Sequence, residues 1–370
     1  MLHRRAFLAT STAAVTAPAW AAVPSSTKVA LLGQALIEHA LPPSAWPARD
    51  AIARTLNPFD ACFSNFETVI KGPRAGAPTR ELGTLHAATP DVIDTLKAVH
   101  VNVLSTSNNH AFDLGTGGIL DTMDALKAAH LPFAGTGHTL NEAAQPAFVD
   151  THNGPVAFVC FASGKVREGG AATPTRAGVN EMRLTPENAP HPDDTTRILK
   201  AVRDARARAK TVFVYQHNHY WEPDQVQVPR WQQAFARECI DAGASSFVGH
   251  GVPLLQGIEV YRGAPIFYGL GNFIFQTEKA QGAYGPESWQ SVIVDCAFEN
   301  GTCRSAKFIP IVLNEVGLNG PDDMKTRGAP SIATAVQARE ILTRLQGLSA
   351  VFNTDVQMNG QGEGWLNLAK

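Results

Sequence analysis

The chain of 370 residues is 44% hydrophobic and 17% charged with a formal net charge of −2, the balance of a globular protein and not of a disordered or fibrous one. With no basic block, nucleic acid and anionic membrane surfaces are excluded as partners. The length suits one large α/β domain or two ordinary ones.

The first predicted element lies outside the fold. Residues 1–21, MLHRRAFLATSTAAVTAPAWA, combine Arg4-Arg5, a modest apolar run and a small-x-small triplet, which predicts an export signal cleaved near Ala21. Arg4-Arg5 followed by Ala6-Phe7-Leu8 resembles a twin-arginine signal, the alternative being a general secretory signal with two chance arginines. The run is too short and too rich in Ala, Ser and Thr to span a bilayer. The expected product is a periplasmic or extracellular protein with no transmembrane segment in its mature chain.

From Lys28 short apolar runs alternate with helical patterns. Strands are expected at 28–33, 61–66 and 101–106, with helices at 46–57, 89–100 and 117–130. Leu120, Met123 and Leu126 recur at helical spacing as a core-facing stripe. Strands follow at 155–162 and 211–216, with helices at 196–209 and 230–243, the latter stopped by Gly243. Short strands at 244–249, 257–261 and 264–269 precede a hairpin around Asn300-Gly301 and a closing helix at 331–347 with a Glu340/Arg344 pair. A single α/β domain with mixed sheets is predicted over 28–350, without internal repeats, followed by a polar, loosely packed tail at 351–370.

Of the cysteines Cys62, Cys160, Cys239, Cys296 and Cys303, most sit in apolar runs and read as buried thiols. The hairpin places Cys303 opposite Phe298 and Cys296 opposite Ser305, an offset that leaves a disulfide between the two weakly supported. There is no Cys-based zinc spacing.

In such folds ligand groups collect where strands end. The predicted exits carry Gln34; Asn65 and Glu67; Asn108, Asn109, His110 and Asp113; His217, Asn218 and His219; His250; and Asn272. One such side chain is an ordinary solvated turn residue, but their recurrence at successive exits points to a metal or acid/base centre. Imidazole and carboxylate suit Zn, Mn or Fe, a carboxamide adds a neutral ligand, and a neighbouring histidine is free to move protons. Asp113 either caps the following helix or orients His110. Glu222, in a polar turn, reads as a solvated carboxylate more readily than as a base.

The stretches FSNFE, STSNNHAFDLG, HNHYWEP and FVGHGVPLLQGIEVYRGAPIFYGLGNF resemble the CapA-type (poly-γ-glutamate capsule synthesis) proteins, a branch of the calcineurin-like metallophosphoesterases. The resemblance runs over about residues 28 to 315. It implies a four-layer α/β/β/α sandwich and a divalent metal. It further implies that Glu67, Asn109, His217 and His250 are metal ligands and that His110 either protonates the leaving oxygen or stabilises the transition state. Gln34, Asn65, Asn108, Asp113 and Asn272 then surround the ligands or meet substrate. Three positions depart from the family pattern. Gln34 replaces the carboxylate expected after the first strand, Pro253 stands near the place of a second histidine in GHGVP, and Asn218-His219 replaces Trp-Gly. His219 is therefore either a compensating ligand or a substrate-facing base. The expected activity is that of an exported metal-dependent hydrolase with one metal site degenerate, acting on an anionic polymer or a phosphoester. The alternative is a non-catalytic capsule or envelope assembly protein that binds polymer and works with other assembly proteins.

Overall fold

A computed structural model describes residues 26–368. The expected export signal lies outside the described residues. No described helix is long and apolar enough to cross a membrane.

The fold is mixed α/β, as the alternating pattern predicts. In the larger sheet the strands run in the order Val356–Met358, Gly364–Leu366, Thr302–Leu313, Gln290–Glu299, Thr27–Leu31, Ala61–Asn65, Val103–Ser105 and Phe133–Ala134. The last four are mutually parallel, because helices cross between them, whereas Gln290–Glu299 lies antiparallel against Thr27–Leu31. The smaller sheet orders Ile258–Tyr261, Ala264–Phe267, Ser246–His250, Thr211–Asn218, Val156–Ser163 and Ala147–Val149. Its middle strands are parallel, with Ser163 beside Asn218 and His217 beside His250.

Side-chain alternation sorts the core. Val29, Leu31, Phe63, Phe158, Phe213 and Tyr215 pack together with residues of both sheets, while Ala30, Cys62 and Leu104 pack towards Ile52, Leu96 and Leu126 of the helices. Val159, Val212 and Val214 pack with Ile198, Val202 and Phe235 of two further helices. Phe63 of the larger sheet stacks on Phe158 of the smaller one at 4.9 Å, and Phe158 stacks on its strand neighbour Phe213 at 5.1 Å. This aromatic row fixes how the strand ends of the two sheets face each other.

Several boundaries differ from the sequence reading. The strand expected to stop at Gln216 continues through Asn218, so His217 lies inside the sheet and not on a turn. Residues 331–332 belong to a short strand, and the closing helix starts at Ala335 behind a Thr334/Gln337 capping box. Arg344 donates to Gln290 Oε1 at 2.7 Å, and among the described residues no ion pair joins it to Glu340. The tail is not loosely packed. Val356–Met358 and Gly364–Leu366 close the edge of the large sheet, with Val356 and Leu366 buried. In the hairpin Cys303 does sit opposite Phe298, but a bulge shifts Cys296 to Ala306. All five cysteines are buried free thiols.

Candidate functional site

Four loops at the ends of parallel strands build the site. Asn65 ends its strand, and Glu67 follows with its N–H on Ala35 O at 2.9 Å. Asn108 then ties two loops together. Its Nδ2 donates to Asn65 Oδ1 at 3.2 Å and to Phe66 O at 2.8 Å, and its Oδ1 accepts from the His110 N–H at 3.0 Å. Asn109 and His110 are thereby fixed beside Glu67. His219 is held from the other sheet, its N–H donating to Ser163 O at 2.7 Å.

These loops converge on one atom. His217 Nε2 lies 2.8 Å from Asn109 Oδ1, 3.0 Å from His219 Nε2 and 3.4 Å from Glu67 Oε1. A single ring nitrogen carries at most one proton, so it cannot satisfy all three. A cation shared among them would. Glu67, His217 and His219 offer ligand atoms within 4.8 Å of one another. Glu67 Oε2, buried, has no hydrogen-bond partner, nor has His219 Nδ1. Carboxylate, imidazole and carboxamide together form a donor set that fits a divalent ion such as Zn, Mn or Fe. His217 Nδ1 lies 3.4 Å from the Tyr215 hydroxyl, whose oxygen can accept its N–H, and 3.3 Å from the Asn65 amide.

Protonation follows burial. Desolvation pushes the Glu67 carboxyl up to about 8, with Arg80 pulling the other way and Asp113 adding to the rise. His217 and His219 are held neutral, well below the ordinary imidazole value, chiefly by burial. Neutral imidazole is the form that ligates metal.

His110 is organised differently. Its Nδ1 lies 2.8 Å from Asp113 Oδ2, so the N–H donated there leaves Nε2 as the proton-exchanging atom. Asp113 makes no cap to the helix Gly115–Ala128. It orients His110, accepts from the His86 N–H at 3.0 Å and forms a close ion pair with Arg80. Burial raises the Asp113 carboxyl to about 6, opposed by Arg80.

Of the other sequence candidates, His250 lies beside His217 but outside the three-residue group. Its Nδ1 is 3.3 Å from the Tyr215 hydroxyl, its Nε2 is buried without a partner, and burial pushes its pKa down to about 3. Gln34 Oε1 accepts from the Gly251 N–H at 3.2 Å, which ties it to the loop after the His250 strand. Asn272 donates to Ser288 O at 2.8 Å. Glu222 lines a separate cavity with Trp231 and Phe352.

The sequence reading missed Arg80, whose guanidinium also donates to the Asn109 carbonyl, and the His86–Glu38 pair at 2.6 Å, whose imidazole lies tilted against His110 with ring centres 4.1 Å apart. Arg80 and His86 come from the Gly/Pro-rich stretch after the second strand and the loop that continues it, where no strand end marks them, while Glu38 follows the strand Gln34–Leu36. Their one sequence signal was polarity inside a loop, which any surface segment shares.

Comparison with known proteins identifies the family. The sequence profile of the bacterial capsule synthesis protein family PGA_cap matches residues 28–277. An uncharacterized protein, y4uA, of Sinorhizobium fredii is 27% identical, with 88% of this chain and 90% of that protein covered. A probable polyglutamine synthesis accessory protein of Mycobacterium tuberculosis is 30% identical, covering 83% and 81%. The PGA biosynthesis protein CapA of Bacillus subtilis is 34% identical over 50% of this chain and 45% of that one.

Proposed function

The chain belongs to the bacterial capsule synthesis protein family PGA_cap, and from that premise we propose that it is an exported, metal-dependent hydrolase of an anionic envelope polymer or phosphoester. The observation that carries the reading is the convergence of Glu67, Asn109 and His219 on His217 Nε2. Relatives named for capsule, PGA and polyglutamine synthesis support the choice of polymer.

Glu67, Asn109, His217 and His219 would hold the ion. A divalent ion there supplies Lewis acidity and a water acidic enough to attack near neutral pH. The chain's own groups do the rest. Asp113 fixes the His110 ring, and His110 Nε2 gives its proton to the leaving oxygen. In the free protein burial and the nearby cations keep His110 neutral. An arriving anion offsets those cations and so favours the protonated ring in the complex. Gln34, a neutral amide whose oxygen accepts from the Gly251 N–H, lacks the charge of the carboxylate that a second ion would need. The site is therefore read as mononuclear, with His219 in the compensating place.

Metal content per chain, measured by mass spectrometry on the full-length purified protein, tests this. About one equivalent of Mn, Fe or Zn is expected, lost in His217→Ala while near-UV circular dichroism stays native. No metal in either protein would overturn the reading. Gln34 and Pro253 favour a second reading, a non-catalytic assembly protein that binds polymer at the same centre. Under it, His217→Ala abolishes polymer binding although wild type shows no hydrolysis.

A further inference from the structure

The loop leaving the strand Val156–Ser163 is built to overhang the metal-type centre. Gly164, at φ +78°, packs so closely that an added Cβ would lie 2.9 Å from the His219 carbonyl carbon and 3.0 Å from Tyr220 N. Further on, a Cβ at Gly170 would meet Phe112 at 3.1 Å. The loop is thus wedged between the turn bearing His219 and the turn after His110. Lys165 itself has a positive φ of 54°, a conformation that costs a non-glycine residue energy and that the two packed ends impose.

This wedge presents two cations. Lys165 and Arg167 are exposed, and among the described residues neither forms an ion pair. With Val166, Glu168 and Arg80 they line an open cleft of about 310 Å³. Lys165 Nζ sits 4.5 Å above the Trp221 ring, which in turn lies 4.7 Å from the His219 ring. The one opposing carboxylate on the loop is Glu168, while Arg80 is already engaged by Asp113. Lys165 and Arg167 are the charges left for a ligand.

We propose that Lys165 and Arg167, with Arg80 at the base of the cleft, form an oxyanion subsite that holds a carboxylate or phosphate group of the substrate beside the Glu67–His217–His219 centre. The inference rests on the hydrolase reading for the word substrate, but the subsite itself is a matter of charge and shape. Lysine gives a mobile point charge and arginine a planar fork, a pairing that accepts either oxyanion.

The test uses the full chain with its metal, titrated calorimetrically with inorganic phosphate and, separately, with a short glutamate oligomer. The variants are Lys165→Gln, Arg167→Gln and the double, with Lys200→Gln on an exposed helix as a charge control. The double variant is expected to lose at least tenfold in affinity for whichever probe binds and to show a weaker dependence on salt. Its metal content and melting temperature should match wild type, as should the affinity of Lys200→Gln. Selective loss for phosphate assigns the cleft to phosphoesters, and selective loss for the oligomer assigns it to carboxylate polymers. Unchanged affinity in the double variant, or no binding of either probe by wild type, overturns the subsite. Absence of metal from wild type alongside a retained charge effect would sink the hydrolase reading and leave the subsite standing.

Discussion

The buried His217 and His250 and the half-buried His219 lie within two neighbouring strands and one turn, and all three imidazoles are kept uncharged chiefly by desolvation. Three charged imidazoles could not share this volume, whereas neutral ones can stand 3.0 Å apart across a ligand position. His110 differs through its carboxylate partner. His110→Ala is expected to lower turnover of a responsive substrate about 10²–10⁴-fold, with metal content unchanged, as steady-state kinetics beside mass spectrometry would show. Equal turnover would remove His110 from the chemistry. A second titration lies outside the centre. Burial, with Asp194 adding, raises the Glu181 carboxyl to about 7, against Arg183 and Arg197. A carboxyl raised in the folded state favours folding while protonated. That contribution is complete below the unfolded value near 4.5 and is lost as pH rises through 7. Glu181→Gln should therefore match wild type in melting temperature at pH 4 and exceed it at pH 8. A constant difference at both pH values would refute this.

Strand ends and turns, more than helices, set the positions of these groups. The strand Thr211–Asn218 carries an apolar run into His217 and Asn218 without a break, because its partners Val156–Ser163 and Ser246–His250 continue the pairing on both sides. After His250 the chain turns at Gly251, φ +116°, where an added Cβ would sit 2.0 Å from the Asn218 carbonyl oxygen. No side chain fits there, and the tight approach also brings the Gly251 N–H to Gln34. Gly251→Ala is expected to cost about 1–3 kcal/mol in urea unfolding and to reduce metal content by displacing the His217–His219 segment. Full metal loading in a destabilised variant would show that the turn is structural only. The apolar runs of these strands were legible in the sequence, but the need for glycine at 251 was not. The continuation of pairing to Asn218 was not, since polar residues normally mark an exit and only two covering neighbours make them strand.

At the scale of the molecule, two sheets packed through the Phe63, Phe158 and Phe213 row bring Glu67 and Asn109 from one sheet to His217 and His219 from the other. The C-terminal residues belong to this whole. They close the sheet edge over Phe308 and cover Leu342 of the last helix. Deleting residues 354–370 is expected to cost on the order of 3 kcal/mol through the burial of Val356 and Leu366, read as a fall in melting temperature of several degrees. An unchanged melting temperature would return the segment to the status of a tail. The sequence by itself determined the α/β class, the family and the residue types of the centre, because strand periodicity and the polar residues that follow each run are local properties. Only the tertiary structure decided which of them meet. It put His219 rather than His250 in the three-residue group, turned Asp113 towards His110, and brought Arg80, Lys165 and Arg167 to one cleft. Those outcomes depend on inter-strand register and on the packing of turns far apart in the chain, which no local pattern encodes.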